Sequence, residues 1–315
     1  MSDITRRSAL RIAACGLACA GAGALTWLGL RAERDVLAKP RELPKLAPAD
    51  TARGLAIGHG ADPKALTRAV IAALGGMGAF VAKGDRVLVK PNIAWNRTPE
   101  QGANTHPDVV EALVQLCLEA GASKVVVTDV PCNAADATFE RSGIEAAARR
   151  VGATVIRHAS TSETLVGGHA VSRWPLIDAL YETDKLINVP VVKHHGSSTL
   201  TAGMKNLFGV AGGDRGLLHG DLDASIVDLA AAVRPTLTVL DATRVLMRSG
   251  PTGGRLSDVR RMDAMAAGVD PVALDAWAAE QIDRKAEDIA HLRLARDRKL
   301  GVMDWRSLSP REVRL

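Results

Sequence analysis

Cysteine is scarce, at four residues in 315, and no Cys-x-x-Cys run occurs. Neither an iron–sulfur cluster nor a zinc framework is therefore expected in this chain. Cys15 and Cys19 fall in an N-terminal apolar run, which leaves Cys117 and Cys132 and room for one disulfide at most. Cys117 repeats in helical phase with Val110, Leu113 and Val114, as a buried helix thiol does. Aromatic residues are also few: one Tyr, three Phe and five Trp. With little to stack on bases and no basic cluster, nucleic acid is not an expected partner.

Charge is absent from 12–30, directly after Thr5, Arg6, Arg7, Ser8, Ala9, Leu10 and Arg11. A basic start followed by a weakly hydrophobic, Ala/Gly-rich run has the order of a signal peptide. The paired arginines point to the twin-arginine (Tat) type. The expected location is periplasmic, or membrane-anchored facing the periplasm, with the Tat translocase as partner during export. The run is also about as long as a spanning helix needs. Ala18, Ala20, Ala22 and Ala24 offer cleavage sites, yet Trp27, Leu28 and Leu30 continue the apolar stretch, so cleaved and anchored forms both stay open. The lipobox-like Ile12-Ala13-Ala14-Cys15 comes too early in the run for a lipoprotein. Residues 1–30 carry Arg6, Arg7, Arg11 and Asp3, so removing them lowers the formal charge from +5 to +3.

Residues 31–53, with Pro40, Pro44 and Pro48 among alternating charges, read as a linker. Beyond it the chain alternates short β-rich runs with helical periodicity. Strands are expected at 55–57, 86–89, 124–128, 154–157, 185–189 and 237–240, all read as buried and parallel. Helices are expected at 63–74, 107–120, 134–151, 174–183, 226–233 and 271–282, with Pro63, Pro107 and Pro271 as first-turn prolines. This pattern predicts a single α/β domain over 54–285, a mostly parallel sheet with helices on both faces in three layers. A helical, basic tail follows over 286–315.

Ligands in such sheets collect at the carboxyl ends of the strands. Lys90-Pro91-Asn92 follows one apolar strand, and Asn104-Thr105-His106-Pro107 opens the next helix. Lys90 at a strand end reads either as an anion contact or as a snorkelling side chain, and either Thr105 or His106 can be the helix cap, with capping the preferred role for Thr105. Asp129 closes another strand and is equally readable as a turn cap or as a ligand to a metal or hydroxyl. The densest stretch runs from Lys193-His194-His195 to Lys205-Asn206, with two histidines, two lysines and four hydroxyls in thirteen residues. Buried polar groups without partners cost about 1–3 kcal/mol each, so these side chains are expected to line a wet, anion-accepting cleft. Adjacent histidines on an extended strand point to opposite sides, so one of His194 and His195 faces any given centre. Arg215 in Gly212-Gly213-Asp214-Arg215-Gly216 can clamp an anion. Asp241, Arg244 and Gly250-Pro251-Thr252-Gly253-Gly254 suggest a further site loop, and Asp270 reads as a helix cap.

The candidate site is then His195, His106 and Lys205 as acid/base or catalytic groups, and Lys90, Asn92, Lys193, Asn206 and Arg215 for ligand or cofactor binding. His194, His195, Asp129 and His219 are the candidate metal ligands. The cofactor is open, with a divalent metal as one candidate, and the expected partner is a small anionic ligand.

The order of motifs resembles the DUF362 family over roughly 54–285. The motifs are Lys90-Pro91-Asn92, Thr105-His106-Pro107, Glu119-Ala120-Gly121-Ala122 through Asp129, Ser142-Gly143-Ile144, Asn188-Val189-Pro190, Lys193-His194-His195, Lys205-Asn206-Leu207-Phe208-Gly209, Asp241-Ala242, Gly250-Pro251-Thr252-Gly253-Gly254 and Asp270-Pro271 through Asp275. The family's name assigns no activity. Many members append a ferredoxin-like pair of iron–sulfur motifs, which this sequence does not contain, and the resemblance then implies no electron transfer within the chain. His195, Lys205 and His219 are also similar in arrangement to the lactate-racemase-like family, where such residues serve a nickel-pincer nucleotide. Three readings stay open: an enzyme on a small anionic substrate, a non-catalytic accessory or binding subunit of a periplasmic redox system, and a nickel-pincer racemase-like enzyme.

Overall fold

The computed structural model describes residues 39–46 and 54–315. The expected export signal and most of the expected linker lie outside the described residues. Residues Arg41–Leu315 form one compact unit. In chain order its elements are β1 (Arg41–Glu42), β2 (Leu55–His59), α1 (Pro63–Ala73), β3 (Arg86–Pro91), α2 (Pro107–Glu119), β4 (Lys124–Thr128), α3 (Ala135–Arg141) and α4 (Ile144–Arg150). Next come β5 (Thr154–Ile156), β6 (Thr161–Leu165), β7 (Arg173–Ile177), β8 (Lys185–Val189), β9 (Val191–His195), β10 (Thr199–Thr201), α5 (Gly203–Asn206) and α6 (Leu222–Val233). The chain closes with β11 (Leu237–Leu246), β12 (Val259–Gly268), α7 (Pro271–Gln281), α8 (Ala290–Asp297) and β13 (Arg311–Arg314).

The main sheet runs β13-β2-β12-β11-β8-β3-β4-β5. From β11 to β5 all neighbours are parallel. The long β12 is antiparallel to both β11 and β2, so β2 is not in the all-parallel setting the sequence suggested. All six expected strands are present. Alternation of side chains along them feeds two cores: Val87, Val89, Val125 and Val127 pack with Leu66, Val70, Val110 and Leu113 of α1 and α2. On the opposite face Leu88, Leu186 and Leu240 pack with Ile226, Leu229, Leu274 and Trp277 of α6 and α7. The three-layer α/β arrangement follows from that two-residue period.

The helix starts obey cap chemistry. Asp62 accepts from the amides of Lys64 and Ala65, and Asp270 from those of Val272 and Ala273, each just ahead of its proline. Two expected helices are corrected. The segment 134–151 is split into α3 and α4, because Gly143 adopts a left-handed φ of 71° between them. The segment expected to be helical at 174–183 begins instead within β7, which pairs antiparallel with β6. Pro175 cannot donate to a helix, and the outer position of β7 in the β1-β6-β7 sheet tolerates it.

The ends of the folded unit are also more engaged than a linker and a tail. β1 pairs in parallel with β6, and the buried Leu46 carbonyl accepts the Thr236 hydroxyl. β13 adds to the main sheet beside β2. Among the described residues no helix is long and apolar enough to cross a membrane.

Candidate functional site

The cleft begins where the parallel neighbours β3 and β4 end. Lys90 lies at the end of β3 and Asp129 directly after β4, which brings Lys90 Nζ within 2.7 Å of Asp129 Oδ1 with both side chains buried. Lys90 also donates to the Pro91 carbonyl at 2.8 Å and to Asn206 Oδ1 at 3.1 Å. An ammonium has three N–H groups, and all three are used here. Burial pushes the Lys90 ammonium below the usual lysine value, with Asp129 opposing. The Asp129 carboxylate further accepts from the amides of Ile93 and Val130. Gly209 packs so close that a Cβ there would fall on Asp129 Oδ1 and against Lys90 Nζ. Glycine at this position is a steric requirement.

Asn206 joins this pair to the centre of the sheet. Its Oδ1 accepts from Asn92 Nδ2 at 2.9 Å as well as from Lys90, and its Nδ2 donates to Asn188 Oδ1 at 2.9 Å. Asn206 and Lys205 share the short α5, whose first amides, Gly203 and Met204, donate to the buried Asp275 carboxylate of α7 at 2.6 and 3.0 Å. Burial raises Asp275 to about 6 despite those two donors. In sequence Asp275 is a carboxylate within the expected helix, and its place in the apolar stretch Val272 to Ala279 was the available signal.

The three lysines of the cleft differ in what holds them. Lys193, on β9, donates to Asn92 Oδ1 at 3.1 Å and to the Ala103 carbonyl, which leaves one N–H unspent. Lys205 Nζ lies 3.4 Å from the centre of the Phe208 ring and has no hydrogen-bond acceptor among the described residues. Burial, the largest cause for each, lowers both Lys193 and Lys205 to about 7. For Lys205 the charges of Arg215 and Lys90 act in the same direction.

His195 ends β9. Its Nδ1 accepts from the amides of Ser197 and Ser198, so the proton of the neutral ring sits on Nε2. Burial, followed by Lys205 and Lys193, drives its pKa down to about 3, so the ring is neutral at ordinary pH. Thr201 on β10 is buried and its hydroxyl has no hydrogen-bond partner. Arg215 donates to the carbonyls of Val130 and Pro131, and its Nη2 lies 3.6 Å from Cys132 Sγ.

These groups surround a cleft of about 70 Å³. Its walls include Lys90, Lys193, Lys205 and Arg215 against a single carboxylate, Asp129, which is already paired with Lys90. Asn92, His195 and Asn206 also line it. The cleft has small dimensions and an unbalanced positive charge. A larger cavity of about 310 Å³ lies elsewhere, beside Leu207, Ala230 and Pro271. Its carboxylate, Asp270, is spent on the amides of Val272, Ala273 and Val302, so it offers shape without free polar groups of that kind.

Three candidate residues lie outside the small cleft. His106 caps α2, its Nδ1 accepting from the Asp108 amide at 3.2 Å, while its own amide donates to Asp241 Oδ2 at 2.7 Å. Of the two cap candidates His106 makes the cap, and the Thr105 hydroxyl instead bridges the Asn92 amide and the Val189 carbonyl. His194 faces away from His195 and accepts from the Gly250 amide at 3.2 Å. His219 is exposed and meets the Phe208 ring edge-on at 6.0 Å. Among the described residues no three His, Cys, Asp or Glu side chains are grouped to hold a metal ion. Trp95, Cys132 and Phe208 also line the cleft, and none was selected from the sequence as a site residue.

A family model described as "Domain of unknown function (DUF362)" matches residues 87–280. The chain belongs to the DUF362 family. The DUF362 match spans every residue of the small cleft, from Lys90 to Pro251. The chain is also similar to the "Thylakoid-associated protein sll1697" of Synechocystis sp., with 32% identity over 221 residues, covering 66% of each chain. It therefore spans just under two thirds of that relative's length.

Proposed function

We propose that this DUF362 protein binds a small anion in the Lys193–Lys205–Arg215 cleft, and that it does so after export from the cytoplasm. The observation that carries the reading is Lys205: a buried ammonium with an aromatic face below it and no oxygen acceptor. Burying a charge is unfavourable unless it is paired, and an anion in the cleft is the missing partner. The unpartnered Thr201 hydroxyl and the remaining N–H of Lys193 supply further donors. The neutral His195 adds an Nε2–H donor.

The donor set favours an anion over a metal, because the cleft's imidazole and thiol are outnumbered by four basic side chains. Export is supported by the Arg6-Arg7 pair ahead of the uncharged run. It also fits a relative described as thylakoid-associated. Loss of export in an Arg6→Lys/Arg7→Lys double variant, followed by cell fractionation, tests the address.

Titration with inorganic phosphate, followed by calorimetry and by tryptophan fluorescence, tests the cleft. Trp95 lines it and serves as the reporter, with Trp95→Phe identifying its signal. Saturable binding to the wild type that is lost in Lys205→Met supports the proposal. Binding that survives Lys205→Met, or no binding to either, contradicts it.

A further inference from the structure

Resting on the anion-cleft reading, the geometry points to Lys205 as an imine-forming nucleophile for a small oxo-acid, a ligand with a carbonyl beside its carboxylate. The three lysines are not interchangeable. Lys90 has spent all three N–H groups on Pro91, Asn206 and Asp129, and its nitrogen cannot reach a substrate without breaking that network. Lys193 is tied twice, to Asn92 and Ala103. Lys205 alone has its nitrogen uncommitted to any oxygen, held against the Phe208 ring in the same cleft.

The surroundings divide the work that an oxo-acid requires. Lys193 retains an N–H for the carboxylate, and the unpartnered Thr201 hydroxyl offers a second donor from the cleft wall. His195 presents Nε2–H, because two backbone amides occupy its Nδ1. A cleft of about 70 Å³ suits a small ligand rather than a nucleotide-sized one. The lowering of Lys205 to about 7 by burial supplies the neutral amine at ordinary pH.

In the step, the lone pair of the neutral Lys205 nitrogen forms a bond to the carbonyl carbon. The carbon–oxygen π pair moves to oxygen, which accepts a hydrogen bond from His195 Nε2–H and takes, through water, one of the two protons of the attached nitrogen. The remaining nitrogen proton passes through water to the carbinolamine hydroxyl, the carbon–oxygen bond breaks with water as the leaving group, and nitrogen's lone pair forms the C=N bond. The balance is amine plus carbonyl giving imine plus one water, with no oxidant or reductant consumed. The imine acidifies the carbon–hydrogen bonds of the carbon on the side away from the carboxylate, because the electron pair left there is accepted as an enamine, which makes proton exchange the accessible reaction class.

The test is incubation of the whole protein with pyruvate and sodium cyanoborohydride at pH 7, followed by intact-mass measurement and peptide mapping. A lysine near pKa 7 has about a thousandfold more neutral amine at that pH than one at the ordinary value. The expected result is one adduct per chain on Lys205, with the mass of pyruvic acid less one oxygen, absent in Lys205→Arg. Peptide mapping of the wild type decides the site even if that variant does not fold. Phosphate binding with no adduct, or with adducts scattered over exposed lysines, overturns the imine and leaves the anion cleft standing. Failure of both phosphate binding and labelling overturns both.

Discussion

Lys205 and Phe208 form a cation–π pair with 3.4 Å between Nζ and the ring centre, and among the described residues no hydrogen-bond acceptor meets this ammonium. A desolvated contact of that kind contributes about 2 kcal/mol, whereas burying a polar group without a hydrogen-bond partner costs about 1–3 kcal/mol. The ligand-free cleft is therefore stabilised less than its burial suggests. Lys205→Met keeps the packing on Phe208 and removes the charge. Because the cation–π gain and the burial cost nearly offset, it is expected to change the stability of the ligand-free protein by no more than about 1 kcal/mol in urea denaturation, while abolishing any stabilisation by phosphate.

Lys90 makes the opposite case within the same cleft. Its charge is fully met, and it meets the buried charge of Asp129 in return. Lys90→Met leaves that carboxylate buried without its cation, and a loss of about 3–5 kcal/mol is expected in the same denaturation assay. A loss below 1 kcal/mol, on the order of an exposed ion pair, contradicts the keystone role.

Gly209→Ala probes the close approach of backbone to the Lys90–Asp129 pair. Its new methyl would meet Asp129 Oδ1 and Lys90 Nζ, so one of them must move. Overpacking of this kind costs about 1–3 kcal/mol, and a melting curve compared with that of Gly78→Ala, whose methyl enters open space, isolates the effect.

Much of this cleft was legible in the sequence, because polar residues at the ends of apolar strands in an α/β pattern have few other reasons to be there. Lys90, Asn92, Asp129, Lys193, His195, Lys205, Asn206 and Arg215 all line it. Their division of labour was not legible, since it depends on which N–H finds which oxygen across separations such as the 116 residues between Lys90 and Asn206. His106 and His194 were drawn in by residue type, and the fold uses each on a nearby amide instead. Trp95 and Phe208 went unselected because lone aromatics in apolar context read as core. The antiparallel β12 and the returning β13 escaped because polar residues at 259–263 and 311–314 mask strand periodicity.

The two lowered lysines set the alkaline pH dependence. Burial lowers folded Lys193 and Lys205 to about 7, from the ordinary lysine value of 10.5. Between those values the unfolded chain holds protons that the folded chain has released. Stability of the ligand-free protein is therefore expected to rise with pH from about 7 towards 10.5 at these two sites. Anion affinity runs the other way and falls as pH passes through about 7, because the clamp loses its charge. Melting temperatures across that range, with and without phosphate, should converge as pH rises.

The most direct measurement is anomalous diffraction from crystals soaked in bromide near pH 6, where Lys193 and Lys205 are both charged. The expected result is a bromide in the cleft in contact with Lys205 Nζ, lost from Lys205→Met crystals. Bromide bound at surface sites with none at Lys205 would contradict an anion-binding cleft.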